Sequence, residues 1–320
     1  MQPIKIKIIM PVFNDWDSFQ KLAEKIYAYY NKLNYNIELI VINDCSDTSF
    51  DKKNLNSFKI NLINLLNNVG NQKAISFGIK YILKNFTDYD FIIIMDSDGE
   101  DKIEDIEKLI LKCKSNEEKN IIFARRNKRY EGLLFKFFYW VYKKTFTLLT
   151  GETLDFGNFS CIPKIHFNKV ASLQDLELHY SASVIKSRIP YKKLDCDKGM
   201  RIQGNTKIGL RKQLIHGLVS MSLFVDTIAV KIFFTSLTGI FFLGLFAITI
   251  VLSKIIFNLA ILGWTSTILM STIIIFPILF LLCLFSLFLL LNKNNYNSFN
   301  TGNFSEHLID SIDILEKKIK

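Results

Sequence analysis

The sequence has few residues that could staple or ligate a small fold. Its five cysteines, Cys45, Cys113, Cys161, Cys196 and Cys283, are scattered, with no Cys-x-x-Cys pair and no histidine at metal-ligand spacing. That pattern excludes a disulfide framework and a zinc site, and it points to a reducing compartment. No internal repeat and no extended low-complexity linker interrupts the chain. Met1–Met10 alternates Ile and Lys, which suits a first strand and not an export signal. Charge is missing from one long region: residues 232–253 carry none over 22 positions, and after Lys254 another 38 uncharged residues run from 255 to 292.

A bilayer core about 30 Å thick needs ~20 helical residues, so 232–253 reads as one transmembrane span. The longer run reads as a turn around Asn258–Ser266 and a second span near 267–291, with Pro277 kinking that helix without abolishing it. Buried helices of a soluble core would be shorter and would keep a polar face. The formal charge is +10, and its placement matters more than its total. Two basic stretches, Arg125–Lys144 and Lys192–Lys212, precede the spans, and Lys317, Lys318 and Lys320 follow them, whereas the connecting loop holds only Lys254. The positive-inside tendency then puts both termini in the cytosol. The expected localisation is the cell (inner) membrane, multi-pass, with the basic stretches at an anionic surface. No nucleic-acid module is recognisable, so nucleic acid is not expected as a partner.

The first half alternates apolar strands (Ile4–Val12, Ile37–Ile42, Lys59–Leu66, Phe91–Met95, Ile121–Ala124) with helical periodicity (Ser18–Leu33, Ala74–Leu83, Ile103–Lys114). This order implies an α/β domain with a mixed, mostly parallel sheet covered on both faces. Ligands bind such sheets at the carboxyl ends of the strands, where the polar clusters Asn14–Asp15, Asn43–Asp47 and Asp96–Asp101 fall. Residues 129–150 and Leu210–Val230 read as amphipathic helices near a membrane surface, with ordinary core-facing helices as the alternative. The expected division is a catalytic domain over 1–209, a juxtamembrane helix over 210–231, two spans within 232–291, and a polar cytosolic tail over 292–320 ending in a short helix.

The strongest chemical signal is Phe91-Ile-Ile-Ile-Met-Asp96-Ser97-Asp98-Gly-Glu100-Asp101. An apolar strand delivers two carboxylates two residues apart, and extended alternation would aim Asp96 and Asp98 to one side. Their mutual repulsion is relieved by an oxygen-liganded divalent cation, Mg²⁺ or Mn²⁺, which can bridge a diphosphate and stabilise a leaving group. Asp96, Asp98 and Glu100 are the expected metal ligands. Upstream, Met10-Pro11-Val12-Phe13-Asn14-Asp15 resembles the opening turn of family 2 glycosyltransferases. Val41-Ile42-Asn43-Asp44-Cys45-Ser46-Asp47 is similar to their nucleotide-binding turn, with Asn43 in place of the first Asp. Asn68-Val-Gly70-Asn-Gln-Lys73-Ala74 through Gly78 matches a third motif of the family, with Asn67 where Arg is usual. The resemblance covers about 1–125 and implies a GT-A (Rossmann-like) fold and a nucleotide-sugar donor. It further implies donor-binding roles for Pro11, Phe13, Asn14, Asp15, Asp44, Asn68, Gly70, Lys73, Asp96 and Ser97, with Asp44 reaching the base.

Ala124-Arg125-Arg126-Asn-Lys-Arg129, Asp155-Phe-Gly157-Asn158-Phe159 and Arg201-Ile-Gln-Gly204-Asn-Thr206-Lys207 look like the polyisoprenyl-phosphate group, the dolichol-phosphate-mannose synthases. Gly263-Trp264-Thr265-Ser266 sits where the bacterial branch joins its two spans. This narrower resemblance implies a polyprenyl phosphate acceptor held by Arg125, Arg126 and Arg129, and a loop whose Arg201 and Lys207 close over phosphates as catalytic groups. Glu100 replaces a usual Gln, Lys102 a frequent Pro, and Leu173–Ile185 matches poorly. The expected reaction is inverting transfer of a hexose from a UDP- or GDP-sugar to the lipid phosphate. Two alternatives stay open: transfer to a glycan acceptor using Asp175 or Glu177 as base, and a non-catalytic membrane scaffold. His166, His179 and His216 show no ligand spacing and are expected to be structural. A homo-oligomer is compatible with this reading.

Overall fold

The structure, a computed structural model, describes residues 3–33, 35–48, 50, 59–126, 133–202, 210–257, 263–299 and 308–315. Strand β1 (Ile4–Val12) is buried from Ile6 onward, as an interior strand rich in Ile and Val should be. Around it lie β2 (Tyr35–Asn43), β3 (Ile60–Leu65), β4 (Phe91–Ile94), β5 (Ile121–Arg126), β6 (Ser160–Pro163), β7 (Tyr191–Cys196) and β8 (Ile309–Leu315). They form one sheet in the order β7-β5-β6-β4-β1-β2-β3-β8. The pairs β1/β2, β1/β4, β2/β3 and β5/β7 are parallel. The mixed, mostly parallel sheet expected from the alternation is therefore present.

Helices α1 (Trp16–Tyr30), α2 (Asn71–Asn85) and α3 (Ile103–Lys114) cover the sheet. The apolar stripe of α1, Phe19, Leu22, Ala23, Ile26 and Tyr30, is buried. In α3 the same is true of Ile106, Leu109, Ile110 and Cys113; Glu104 and Asp105 begin that helix and Lys112 and Lys114 end it, charges that complement its dipole. Helix α2 lies unusually close to β1. A Cβ on Gly78 would stand 2.5 Å from Ile9 Cγ2, so no larger residue fits there without displacement. The remaining helices are α4 (Leu133–Thr150), α5 (Lys164–Ala171), α6 (Tyr180–Lys186), α7 (Leu210–Ser222), α8 (Val225–Phe257) and α9 (Trp264–Phe299).

Two strands depart from the sequence reading. β6 runs antiparallel between β4 and β5. Its four residues, Ser-Cys-Ile-Pro, are too few to show a period. The tail, expected to end in a short helix, instead supplies β8, antiparallel to β3. Without it β3 would expose an unpaired edge, and the Ile-rich 309–315 segment covers that edge.

Two compact units emerge: Met1–Lys144 with Glu152–Leu223 and Gly302–Lys320, and Thr145–Gly151 with Phe224–Thr301. The second is dominated by α8 and α9, which pack on each other. Within them Val225–Ser253 has mean hydropathy 2.2 and Ser266–Leu289 has 2.9, and only 11% of each apolar window is buried. A core helix of a soluble domain would be mostly covered; these are not. The first apolar helix starts earlier than the expected 232, and α9 runs on through Pro277. The expected connecting turn falls mostly outside the described residues.

Candidate active site

β1, β2 and β4 run parallel, so their carboxyl ends fall at one edge of the sheet, and the loops after β1 and β2 are hydrogen-bonded to each other. Asn14, in a left-handed conformation (φ 51°), donates its N–H to Ser46 Oγ (3.0 Å) and its Nδ2 to Asp47 Oδ2 (2.7 Å), while Asp47 N–H returns to Asn14 Oδ1 (2.8 Å). Pro11 is the penultimate residue of β1, and Phe13, directly after the strand, is exposed. Asn43 Oδ1 accepts the N–H of Ser46 (3.0 Å), which shapes the second turn without the usual carboxylate. Asn43 Nδ2 also donates to Asn64 Oδ1 (2.9 Å), and Asn64 Nδ2 to Ser311 Oγ (2.9 Å) of β8.

Asp44, assigned to the nucleotide base by the resemblance, has backbone partners of its own. It is buried, and its two oxygens accept the N–H groups of Val69 (2.7 Å) and Gly70 (2.9 Å). Burial raises its pKa while those two bonds oppose the rise. Its carboxylate thus shapes the loop that launches α2, and Asn68 Nδ2 adds a bond to Asp44 O (3.3 Å). Gly70 holds φ 86°, open to glycine at no steric cost. The first turn of α2 then presents Asn71, whose Nδ2 donates to Asp96 Oδ1 (3.1 Å), and an exposed Lys73.

β4 stops at Ile94, so Asp96 and Asp98 are not related by extended alternation as expected. The chain turns at Gly99 (φ 83°), and Asp98 Oδ1 accepts Glu100 N–H (2.9 Å). The two carboxylates are nonetheless close enough to interact. Burial, and then the charge of Asp96, push Asp98 up to about 6. Asp101 is buried beneath them, accepting Asp96 N–H (3.1 Å) and Arg126 Nη2 (3.2 Å). Burial and Asp96 push its pKa up to about 7, against the pull of Arg126. Ser97 is buried in the same turn.

Over this turn folds the segment 197–202. Gly199 N–H donates to Glu100 O (2.8 Å) and Ile202 N–H to Asp98 O (3.0 Å). A Cβ on Gly199 would meet Gly99 O at 2.7 Å, so this close passage requires glycine. Arg201 reaches Asp15 Oδ2 (2.7 Å) and Asp98 Oδ2 (3.4 Å), a cation between the turn after β1 and the acidic turn after β4. Lys207 and Arg129 lie outside the described residues.

The remaining candidates are in ion pairs. Glu100, expected at the cation, contacts Arg126 Nη1 (3.0 Å) and Lys198 Nζ (3.0 Å). Arg126, expected at the acceptor, thereby supports the Asp96–Asp101 turn. Arg125 pairs with Asp195 (2.6 Å) and lies 3.8 Å from Asp155. Glu177 is bound by Lys80 (2.6 Å) and Asp175 by Lys186. Sequence reasoning overlooked Asn71 and Gln72 as parts of this frame and gave Asp101 no role beyond the acidic cluster. Gln72 Nε2 donates to Asn158 Oδ1 (3.1 Å), and Gln72 Oε1 accepts Tyr180 N–H (2.7 Å). The position of Asn71 and Gln72 directly after Gly70, at the head of a helix facing the acidic turn, was the available signal.

Among the described residues no group of three or more His, Cys, Asp or Glu is arranged to hold a metal ion. Asp96 and Asp98 fit a different kind of site. Mg²⁺-type sites commonly use one or two carboxylates and complete the shell with substrate phosphates and water.

The Glycosyl transferase family 2 model matches residues 7–176, more than half of the chain. The chain belongs to glycosyl transferase family 2. An uncharacterized glycosyltransferase of Synechocystis is 28% identical over 130 residues, 39% of this chain and 39% of that protein. The undecaprenyl-phosphate 4-deoxy-4-formamido-L-arabinose transferase of Proteus mirabilis is 25% identical over 163 residues, 49% of this chain and 47% of its own length. The chain thus matches less than half the length of these curated relatives. Among solved structures, glucosyl-3-phosphoglycerate synthase of Mycobacterium tuberculosis in complex with Mn²⁺, UDP-glucose and phosphoglyceric acid shares the fold. Its TM-score is 0.50 at 9% identity, over 70% of this chain and 80% of that one. The chain thus combines family 2 membership and a GT-A-like sheet with two helices long and apolar enough to cross a membrane.

Proposed function

We propose that this glycosyltransferase moves a hexose from a nucleoside-diphosphate sugar to the phosphate of a polyprenyl phosphate, with inversion, at the cytosolic membrane face. The observation that carries the reading is the state of the carboxylates beyond the acidic turn. Asp175 and Glu177, the bases weighed for a hydroxyl acceptor, are each held in an ion pair with a lysine. A phosphate monoester needs no such base, because its second pKa is about 6 and it is already anionic near neutrality. The relative that acts on undecaprenyl phosphate by name and the two exposed apolar helices support the same acceptor.

In this reaction an oxygen of the acceptor phosphate attacks the anomeric carbon from the side opposite the leaving group. The bond from that carbon to the donor diphosphate breaks, giving a lipid-linked sugar phosphate and a nucleoside diphosphate. Asp96 and Asp98 would hold Mg²⁺ or Mn²⁺, which supplies charge neutralisation on the diphosphate. Asn71 orients Asp96, Asp101 and Arg126 brace the turn, and Asp44 with Gly70 shapes the nucleotide side. Arg201, between Asp15 and Asp98, stands where donor phosphates can replace its carboxylate partners. A radiolabelled-sugar assay with added polyprenyl phosphate, over a panel of UDP- and GDP-sugars, tests the proposal. Organic-extractable label is the expected product. Label found only on a water-soluble glycan would make this a membrane-anchored glycan transferase.

The return of β8 to the sheet also supports a topology. The sheet holds strands from before the first apolar helix and one from after the second, so an even number of crossings is required between them. With the basic flanks this favours both termini in the cytosol. In intact cells an impermeant thiol reagent is expected to label Ala260→Cys and to spare Asn300→Cys. The reverse pattern would overturn the topology.

A further inference from the structure

His179 and His216 have no spacing that relates them, yet the fold brings them together beside the acidic turn. His179 is buried immediately before α6, and its Nδ1 accepts the N–H of Ala182 (3.3 Å). That bond leaves the ring proton on Nε2. Its carbonyl accepts both Ser183 N–H (2.9 Å) and Ser183 Oγ (2.8 Å). The next residue, Tyr180, donates its N–H to Gln72, whose neighbour Asn71 holds Asp96. The ring is therefore fixed by the same frame that fixes the acidic turn.

His216, on α7, lies flat on this ring, with centroids 4.3 Å apart and planes inclined by 20°. Helix α7 is itself seated on α4. Gly217 passes so close to Tyr142 that a Cβ would stand 2.8 Å from the ring, and Ser220 Oγ meets Tyr142 OH at 2.7 Å. One face of His216 is covered by His179, and the residue as a whole still falls in the exposed class. An ordinary packing role would bury His216; here the buried ring serves as a platform and the exposed ring is what it presents. Burial pushes His179 down to about 3; partial desolvation of the His216 ring, one face of which lies against His179, lowers it as well, while the Asp96 charge opposes that fall. His179 is therefore neutral near pH 7, the downward shift of His216 favours its neutral form too, and His216 lies within the electrostatic reach of Asp96. A neutral imidazole still offers one N–H donor. Such a donor has work to do, because Arg125 and Arg126 are committed to Asp195, Glu100 and Asp101.

We propose that His216, seated on His179, contacts the acceptor and donates a hydrogen bond from its imidazole N–H to a phosphate oxygen of the attacking lipid phosphate. His179 is the positioning residue of this pair. The assignment rests on the lipid-phosphate reading above. The test compares full-length His216→Phe, which keeps a stacking ring without the donor, and His216→Gln, which keeps a donor, in steady-state assays with polyprenyl phosphate and the nucleotide sugar. A hydrogen bond to a charged group predicts a rise of roughly tenfold or more in the acceptor KM of the Phe variant. The donor KM and the melting temperature should stay near wild type, and the Gln variant should recover most of the loss. His216→Ala, at an exposed helical position that favours Ala, gives the same readout should the Phe variant misfold. An unchanged acceptor KM in both the Phe and Ala variants overturns the assignment and leaves the lipid-phosphate reading standing. So does a parallel rise in both KM values, because it places His216 on the donor. A wild-type enzyme that ignores polyprenyl phosphate overturns both.

Discussion

Asp98→Asn is expected to abolish sugar transfer while leaving the protein folded and inserted. Asp98 lies in the turn after β4, charged against Asp96 and faced by Arg201 at 3.4 Å. Asparagine keeps the shape and one oxygen, so Glu100 N–H keeps an acceptor. It removes the charge that a divalent cation would require. Cationic stabilisation of a leaving diphosphate is worth several kcal/mol, and about 1.4 kcal/mol is tenfold in rate. A loss of roughly 10²–10³-fold or more in kcat/KM follows. Stability should hold or rise slightly, because the substitution relieves repulsion from Asp96 and removes a carboxylate whose ionisation burial already disfavours. Turnover with a panel of nucleotide sugars and a melting curve together decide the matter. Wild-type turnover in the Asn variant, or full activity in EDTA, would remove the cation from the mechanism.

The second large effect concerns stability, far from the chemistry. Lys7 on β1 and Glu38 on β2 form an ion pair inside the sheet layer, at 6% and 4% exposure. Glu38 Oε1 also accepts Asn61 Nδ2 (2.6 Å), and Tyr81 OH donates to Asn61 Oδ1 (3.3 Å). Lys7 Nζ lies 4.0 Å from the centre of the Phe86 ring, and burial lowers its pKa. Glu38→Ala would leave a buried ammonium without its counter-charge, a change that typically costs ~3–5 kcal/mol. For a domain of this size that lowers the melting temperature by roughly 10 °C. Replacing both partners, Lys7→Met with Glu38→Leu, should restore most of the loss, since apolar pairs often substitute for buried ion pairs without penalty. Thermal unfolding of the detergent-solubilised protein is the measurement. A shift of less than about 2 °C in the single variant would show that water or Lys59, 3.5 Å from Glu38, compensates.

These two positions also show what could be read in advance. Asp98 announced itself, because an apolar strand followed by Asp-Ser-Asp is a local pattern and the strand's burial is written in its own residues. Glu38 did not. A charged residue in an Ile-rich run reads as solvent-facing until its partner is known, and that partner sits on a strand contributed by another part of the chain. Asp44 and Arg126 were recognised as site residues, but the groups they contact were not. The carboxylate of Asp44 is taken by two backbone N–H groups, and Arg126 by Glu100 and Asp101.

Residue order by itself determined the family, the strand–helix alternation, the acidic turn and the two apolar helices. Each of these depends on side-chain type at short spacing, through burial periodicity, backbone conformation and local charge. Only the tertiary structure decided that the tail becomes β8 on the exposed edge of β3 and that β6 enters the sheet antiparallel. It alone set Arg201 between Asp15 and Asp98 and stacked His216 on His179. Edge pairing, ion-pair choice and ring stacking are contacts between residues far apart in the chain. Their free energy depends on where the backbone has already been placed, so no local pattern encodes them.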